Sequence, residues 1–65
     1  MQRLSSREAQ ILRLVGQGAS NTEIAQGLYI GETTVKTHIS RIQTKLAARG
    51  RVQLVVMAHQ AGLTA

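Results

Sequence analysis

Twice in this chain a serine is followed three positions later by a glutamate and then by apolar residues at helical spacing. Ser5-Ser6-Arg7-Glu8 precedes Ile11, Leu12, Leu14 and Val15, and Ser20-Asn21-Thr22-Glu23 precedes Ile24, Ala25 and Leu28. In such a capping box the hydroxyl and the carboxylate satisfy each other's free backbone N–H groups at a helix start. Two helix starts are thereby fixed a short distance apart. Gln17-Gly18 ends the first helix, because glycine adopts the left-handed conformation readily. The second helix is only about two turns long, since Tyr29-Ile30-Gly31 breaks it and leaves Gly31 as the next N-cap. With no proline and few β-branched clusters at period two, the chain reads as helix throughout. The expected fold is all-α, a compact four-helix domain.

A third helix is expected from Glu32 to Ala47. At roughly 100° per residue, Val35, Ile39, Ile42 and Leu46 form one narrow apolar stripe. Thr33, Thr37, Ser40 and Thr44 fall on the opposite side, flanked by Lys36 and Arg41. His38 lies between stripe and strip, a position for a ring that is partly buried or set against a phosphate. The fourth helix is expected from Gly50-Arg51 to Gly62-Leu63. Leu54, Met57, Ala58 and Ala61 form one apolar face; Val52, Val55 and Val56 form a second, with His59 beside them. A helix that is apolar nearly all round expects cover on both sides. A domain of this size cannot supply that alone, so a self-association surface is expected there.

Length and composition narrow the function. Sixty-five residues make one domain, expected over 1–65. Such a chain buries only about 60% of its unfolded surface, and its core supplies roughly 3–5 kcal/mol without a staple. Cysteine is absent, which removes disulfides and thiolate ligands or nucleophiles. His38 and His59 stand far apart without partner ligands, so no metal or cofactor is expected. Three scattered carboxylates, Glu8, Glu23 and Glu32, offer no paired acid and base, and no enzyme is expected. No apolar run approaches the roughly 20 residues of a membrane span, and Met1-Gln2-Arg3-Leu4 lacks a signal-peptide core.

Charge points to a polyanion. Eight Lys/Arg oppose three Asp/Glu, giving +5, and beyond Glu32 every formal side-chain charge is positive: Lys36, Arg41, Lys45, Arg49 and Arg51. Arg51, near a helix junction, also suits a cap or brace. Two helices joined by a three-residue turn, the second with a polar cationic face, describe a helix-turn-helix. In that motif the second helix enters the major groove, N-terminal end first. Base edges require side chains protruding at i, i+3, i+4 and i+7, a spacing that Thr33, Lys36, Thr37, Ser40 and Thr44 supply. A helical protein-interaction module with no specific DNA site is the alternative. A membrane-active basic helix fits less well, because the apolar stripes are used in packing helices together.

At this point the sequence resembles the LuxR/FixJ (GerE-type) DNA-binding domain. The resemblance runs from Leu4 to Leu63. It is carried by Leu4-Ser5-Ser6-Arg7-Glu8 with Ile11-Leu12, by Gly18-Ala19-Ser20-Asn21, and by Glu23-Ile24-Ala25 and Leu28. Thr34-Val35-Lys36-Thr37-His38-Ile39, Ile42, Lys45-Leu46 and Arg51 complete it. The resemblance implies a third helix that reads the major groove, and dimeric binding to paired half-sites through the fourth helix. Lys36, Thr37 and Ser40 then contact bases, and Thr33 and Thr34 contact DNA at the helix start. Lys45 meets the backbone, Arg41 adds to the cationic surface, and Val52, Val56 and His59 form the dimer contact. The resemblance further implies a C-terminal output domain of a bacterial, cytoplasmic transcription regulator. Its N-terminal receiver or sensor domain is absent from this chain. Some positions depart from the pattern. Gly31 replaces serine, Thr22 replaces lysine or arginine, and Gly50 replaces a polar N-cap. Ser40 stands where some members carry lysine. Ala47 occupies a place often held by glycine; left-handed backbone there costs alanine on the order of 1 kcal/mol.

Overall fold

Both expected capping boxes form. Ser5 Oγ accepts the Glu8 backbone N–H at 3.1 Å while a Glu8 carboxylate oxygen accepts the Ser5 N–H at 2.8 Å. Ser20 and Glu23 repeat the exchange at the same two distances. The structure, a computed structural model, describes residues 3–64; Met1, Gln2 and Ala65, included in the expected 1–65 domain, lie outside the described residues. From the two caps run α1 (Ser6–Gly16) and α2 (Asn21–Leu28), followed by α3 (Glu32–Leu46) and α4 (Arg51–Gln60). There is no strand among the described residues. Gly31 caps α3 in extended conformation, as expected. Gly50 precedes α4 without a side-chain cap, and the Gln53 side chain instead accepts the Arg49 backbone N–H at 2.7 Å.

All four helices end in the same way. A residue in left-handed conformation turns the chain, and the next residue's N–H returns to a carbonyl five positions back. These bonds are Ala19 to Leu14, Ile30 to Ala25, Ala48 to Gln43 and Leu63 to Ala58, each 2.9–3.0 Å. This closure satisfies carbonyls that the helix leaves free. The left-handed residues are Gly18, Tyr29, Ala47 and Gly62. The last of these ends α4 sooner than expected: its final helical residue is Gln60, and residues 61–64 form a turn. Ala61, expected on the buried face, therefore falls beyond the last helical turn and is exposed.

Helix α1 is the centre of the packing. Helices α2, α3 and α4 all lie against it, and α2 also packs on α3. The core joins Ile11, Leu12 and Val15 of α1 with Ile24 and Ala25 of α2, Val35, Ile39 and Ile42 of α3, and Leu54 and Ala58 of α4. These are the stripes that helical spacing selects, and burying each large aliphatic side chain stabilises by about 1.5–3 kcal/mol. The approach of α4 to α1 depends on Gly16: a Cβ there would stand 2.6 Å from Ala58 Cβ. At its start, α4 is pinned to the α1–α2 connection by Arg51. The guanidinium donates to Asn21 Oδ1 at 2.6 Å and to the Ala19 carbonyl at 2.7 Å, the bracing role that its junction position suggested.

Ala47 sits at φ 54° with an exposed side chain. Left-handed backbone costs an L-residue roughly 1–2 kcal/mol, against roughly 0.5–1 kcal/mol for glycine's extra entropy. Ala47→Gly should therefore raise stability by up to about 1 kcal/mol and the melting temperature by several degrees, measured by thermal and urea unfolding. A lowered melting temperature would show that this helix end carries no such strain.

Candidate nucleic-acid interface

Helix α3 buries Val35, Ile39 and Ile42 and packs Leu46 against the core, which leaves the opposite side of the helix exposed. Thr33, Thr34, Lys36, Thr37, Ser40 and Arg41 are all exposed on it, as is Thr44 on the same strip. The helical wheel already contained that signal. The Thr37 hydroxyl donates to the Thr33 carbonyl and the Thr44 hydroxyl to the Ser40 carbonyl, each at 3.1 Å. Both hydroxyls are thus tied to their own helix and turn lone pairs and methyl groups outward. At the helix start, Glu32 accepts the Thr22 hydroxyl at 3.1 Å, joining α2 to α3.

Lys45 stands apart from the other candidate contacts. Its ammonium forms a 2.7 Å ion pair with Glu8, its side chain is 26% exposed, and the carboxylate partner is buried. One of three ammonium donors is spent on Glu8, leaving two. The Lys45 hydrogen bond, followed by the Ser5 backbone N–H, holds the Glu8 carboxyl at about 2, below its ordinary value of 4.5. Glu23 is lowered too, chiefly by the Ser20 backbone N–H. All three carboxylates are therefore engaged inside the fold, while Lys36, Arg41 and Arg49 are exposed and make no ion pair among the described residues.

On α4 the expected contact residues behave differently from one another. Val52 is 79% exposed and Val56 47%, whereas Val55 of the same face packs against the core. His59 is exposed but held. Its Nε2 lies 3.0 Å from the Gly16 carbonyl, which can only accept, so Nε2 is the donor. Its Nδ1 lies 2.9 Å from the Thr64 hydroxyl. His38, half-buried as expected, has a buried Nδ1 with no partner. An apolar groove of about 490 Å³ lies away from the exposed strip of α3, lined by Leu4, Leu12, Leu46, Met57 and Leu63 among others. None of its lining side chains is titratable, so it offers no acid–base chemistry. No helix is long and apolar enough to cross a membrane.

Residues 2–58 match the family described as bacterial regulatory proteins, luxR family (GerE). The chain belongs to this family. It is 44% identical over 61 residues to the transcriptional regulatory protein LnrK of Bacillus subtilis (strain 168), covering 94% of this chain and 28% of that protein. It is 47% identical over 60 residues to the response regulator protein VraR of Staphylococcus aureus (strain Mu3 / ATCC 700698), covering 92% and 29%. A crystal structure of the response regulator ChrA in a heme-sensing two-component system matches with a TM-score of 0.85 at 43% identity, covering 97% of this chain and 31% of that one. The chain thus spans under a third of the length of these luxR-family relatives.

The Glu8 pair has a measurable pH signature. Because the folded-state value is depressed, its stabilisation is complete above about 4.5 and is lost as pH falls toward about 2. Unfolding by urea at a series of pH values should show stability falling across that interval. Glu8→Gln, which keeps an acceptor for the Ser5 N–H, should flatten most of the fall and leave the part due to Glu23. A variant with the parent's full pH dependence would mean that the ion pair does not set it.

Proposed function

We propose that this chain binds double-stranded DNA sequence-specifically, as the output domain of a bacterial transcription regulator, and that it has no catalytic activity. The observation that carries the reading is the outward face of α3, a strip of short hydroxyl side chains bordered by Lys36 and Arg41. Membership of a bacterial regulatory family supports it. In this reading α3 lies in the major groove, with Lys36, Thr37 and Ser40 against base edges and Thr33 and Thr34 at the groove entrance. Arg41 and the two unspent donors of Lys45 take phosphates. Lysine and arginine are the side chains that pair with guanine O6 and N7, which makes Lys36 the main base reader. Thr37 and Ser40 add acceptor oxygens and close contacts.

The exposed valines of α4 support binding as a homodimer. Val52 and Val56, with His59 beside them, form an apolar patch on the side of α4 away from the core. Two copies joined there occupy adjacent half-sites, so the second binding event becomes effectively intramolecular. The relatives are more than three times as long as this chain. A receiver or sensor domain in that remaining length would control dimerisation or access to α3 in the bacterial cytoplasm, where the DNA is.

The direct test is titration of the chain into site-selected and random duplexes across a salt series. Binding should fall with salt at a slope of roughly −0.9 per neutralised phosphate, and selection should enrich a paired motif. Lys36→Ala should weaken binding to the selected site by roughly 1–3 kcal/mol; unchanged affinity would remove α3 as the reading helix. Val56→Glu should abolish cooperative filling of paired half-sites while leaving the melting temperature nearly unchanged. Cooperativity that persists would exclude α4 as the dimer contact.

A further inference from the structure

We infer that His38 is a further DNA-positioning residue, whose imidazole donates its Nε2–H to a backbone phosphate oxygen at the edge of the groove. This rests on the DNA-binding reading above. It starts from a contrast between the two histidines. Both ring nitrogens of His59 are hydrogen-bonded within the fold. In His38 the Nδ1 atom is buried and has no partner, while Nε2 is neither buried nor bonded to another described residue.

A buried N–H without an acceptor is rarer and more costly than a buried acceptor left bare. A proton on Nδ1 would create that orphan donor. The neutral ring therefore carries its proton on Nε2, at the accessible end, as a donor of fixed direction. Its location suits a phosphate better than a base. His38 follows Thr34 by one helical turn and precedes Arg41 by another, on the flank of α3 between the buried stripe and the exposed strip. Lys45 lies one turn beyond Arg41 on the same flank. The one carboxylate that reaches this flank, Glu8, is already paired with Lys45. Phosphates line the two edges of the groove and base edges its floor, so a flank with two cations and an N–H donor meets the backbone. A donor held by a half-buried ring sets the height and rotation of α3 without reading sequence.

A neutral donor differs from a cationic one in a property that can be measured. Its loss weakens binding without changing the number of counterions released. His38→Phe keeps a ring and removes the donor. Binding at about pH 8, above the ordinary imidazole range, should fall about tenfold on selected and random duplexes alike, with the salt slope unchanged. Arg41→Ala should instead make the slope shallower by about 0.9. His38→Gln, whose amide nitrogen stands near the position of Nε2, should restore most of the affinity, and His38→Asn, whose amide stands near Nδ1, should not. Far-UV circular dichroism melts establish that each variant folds; if the phenylalanine variant does not, the Gln–Asn pair decides. Nitrogen-15 NMR of the free chain should find Nδ1 unprotonated. Parent-like affinity in both His38→Phe and His38→Asn, or a proton on Nδ1, overturns the inference while the DNA-binding reading stands. A parent chain that binds neither duplex overturns both.

Discussion

What this fold offers a partner follows from burying one edge of α3 and only one. Val35 and Ile42 are fully buried and Ile39 nearly so, yet Lys36, Thr37, Ser40 and Arg41 between them stay exposed. That one-sidedness has to be held at both ends, because a helix fixed only by an aliphatic stripe can roll or slide. The Thr22–Glu32 hydrogen bond ties its start to α2, and the Glu8–Lys45 ion pair ties its end to α1. Lys45 is the point at which scaffold and surface meet, since the ammonium that fixes the helix stays partly exposed with two donors unspent. Removing its charge would change the orientation of α3 as well as its electrostatics, so Lys45 is a poorer reporter of DNA contact than Lys36 or Arg41.

The helices were largely legible in the sequence because their signals are local. Ser5 with Glu8 and Ser20 with Glu23 are close neighbours, and spacing alone selects Ile11, Leu12, Val15, Val35, Ile39 and Ile42 for the core. Helix ends were legible where glycine marks them, at Gly18. The ends at Tyr29 and Ala47 also fell where the sequence placed them, although an ordinary residue takes the left-handed conformation there. There the closing hydrogen bond, with the half-buried Ile30 or Ala48 next in line, outweighs the residue's own preference. Gly62 carried a signal too, but it shortens α4 rather than extending it. The partners of the long polar side chains were not legible. Lys45 meets Glu8 across 37 positions, Arg51 meets Asn21 across 30, and His59 meets Gly16 across 43. Sequence spacing carries no information about contacts that exist only after the helices pack. The exposed polar strip of α3 was readable in the sequence, therefore, while the division of the cations between scaffold and solvent was not.

That division explains how a chain with few acids presents a clean cationic face. Glu8 serves a cap and an ion pair, Glu23 a cap, and Glu32 a helix–helix hydrogen bond. Each carboxylate is placed where a helix N-terminus favours negative charge. Arg51 is consumed by the Ala19 and Asn21 oxygens, whereas Lys36, Arg41 and Arg49 remain exposed. Net charge sets only the overall attraction for a polyanion. The arrangement of charge is what directs it, and acids tied into caps cannot swing across the α3 surface to neutralise it.

The same economy governs what binding must order. Long cationic side chains lose roughly 1.5–2 kcal/mol of rotamer freedom when fixed, and Lys36 and Arg41 bear that loss at the interface. Thr37 and Thr44 do not, because their hydroxyls are already bonded to the carbonyls of Thr33 and Ser40 and β-branching restricts χ1. In the proposed DNA-binding reading these two residues are preorganised: they add little affinity of their own but reject a base edge that does not fit. In the same reading Arg41 supplies attraction that tolerates many sequences, while Lys36 and the rigid strip supply discrimination. In that reading specificity depends on how firmly α3 is held, which returns the burden to the core stripe and the two ties at its ends.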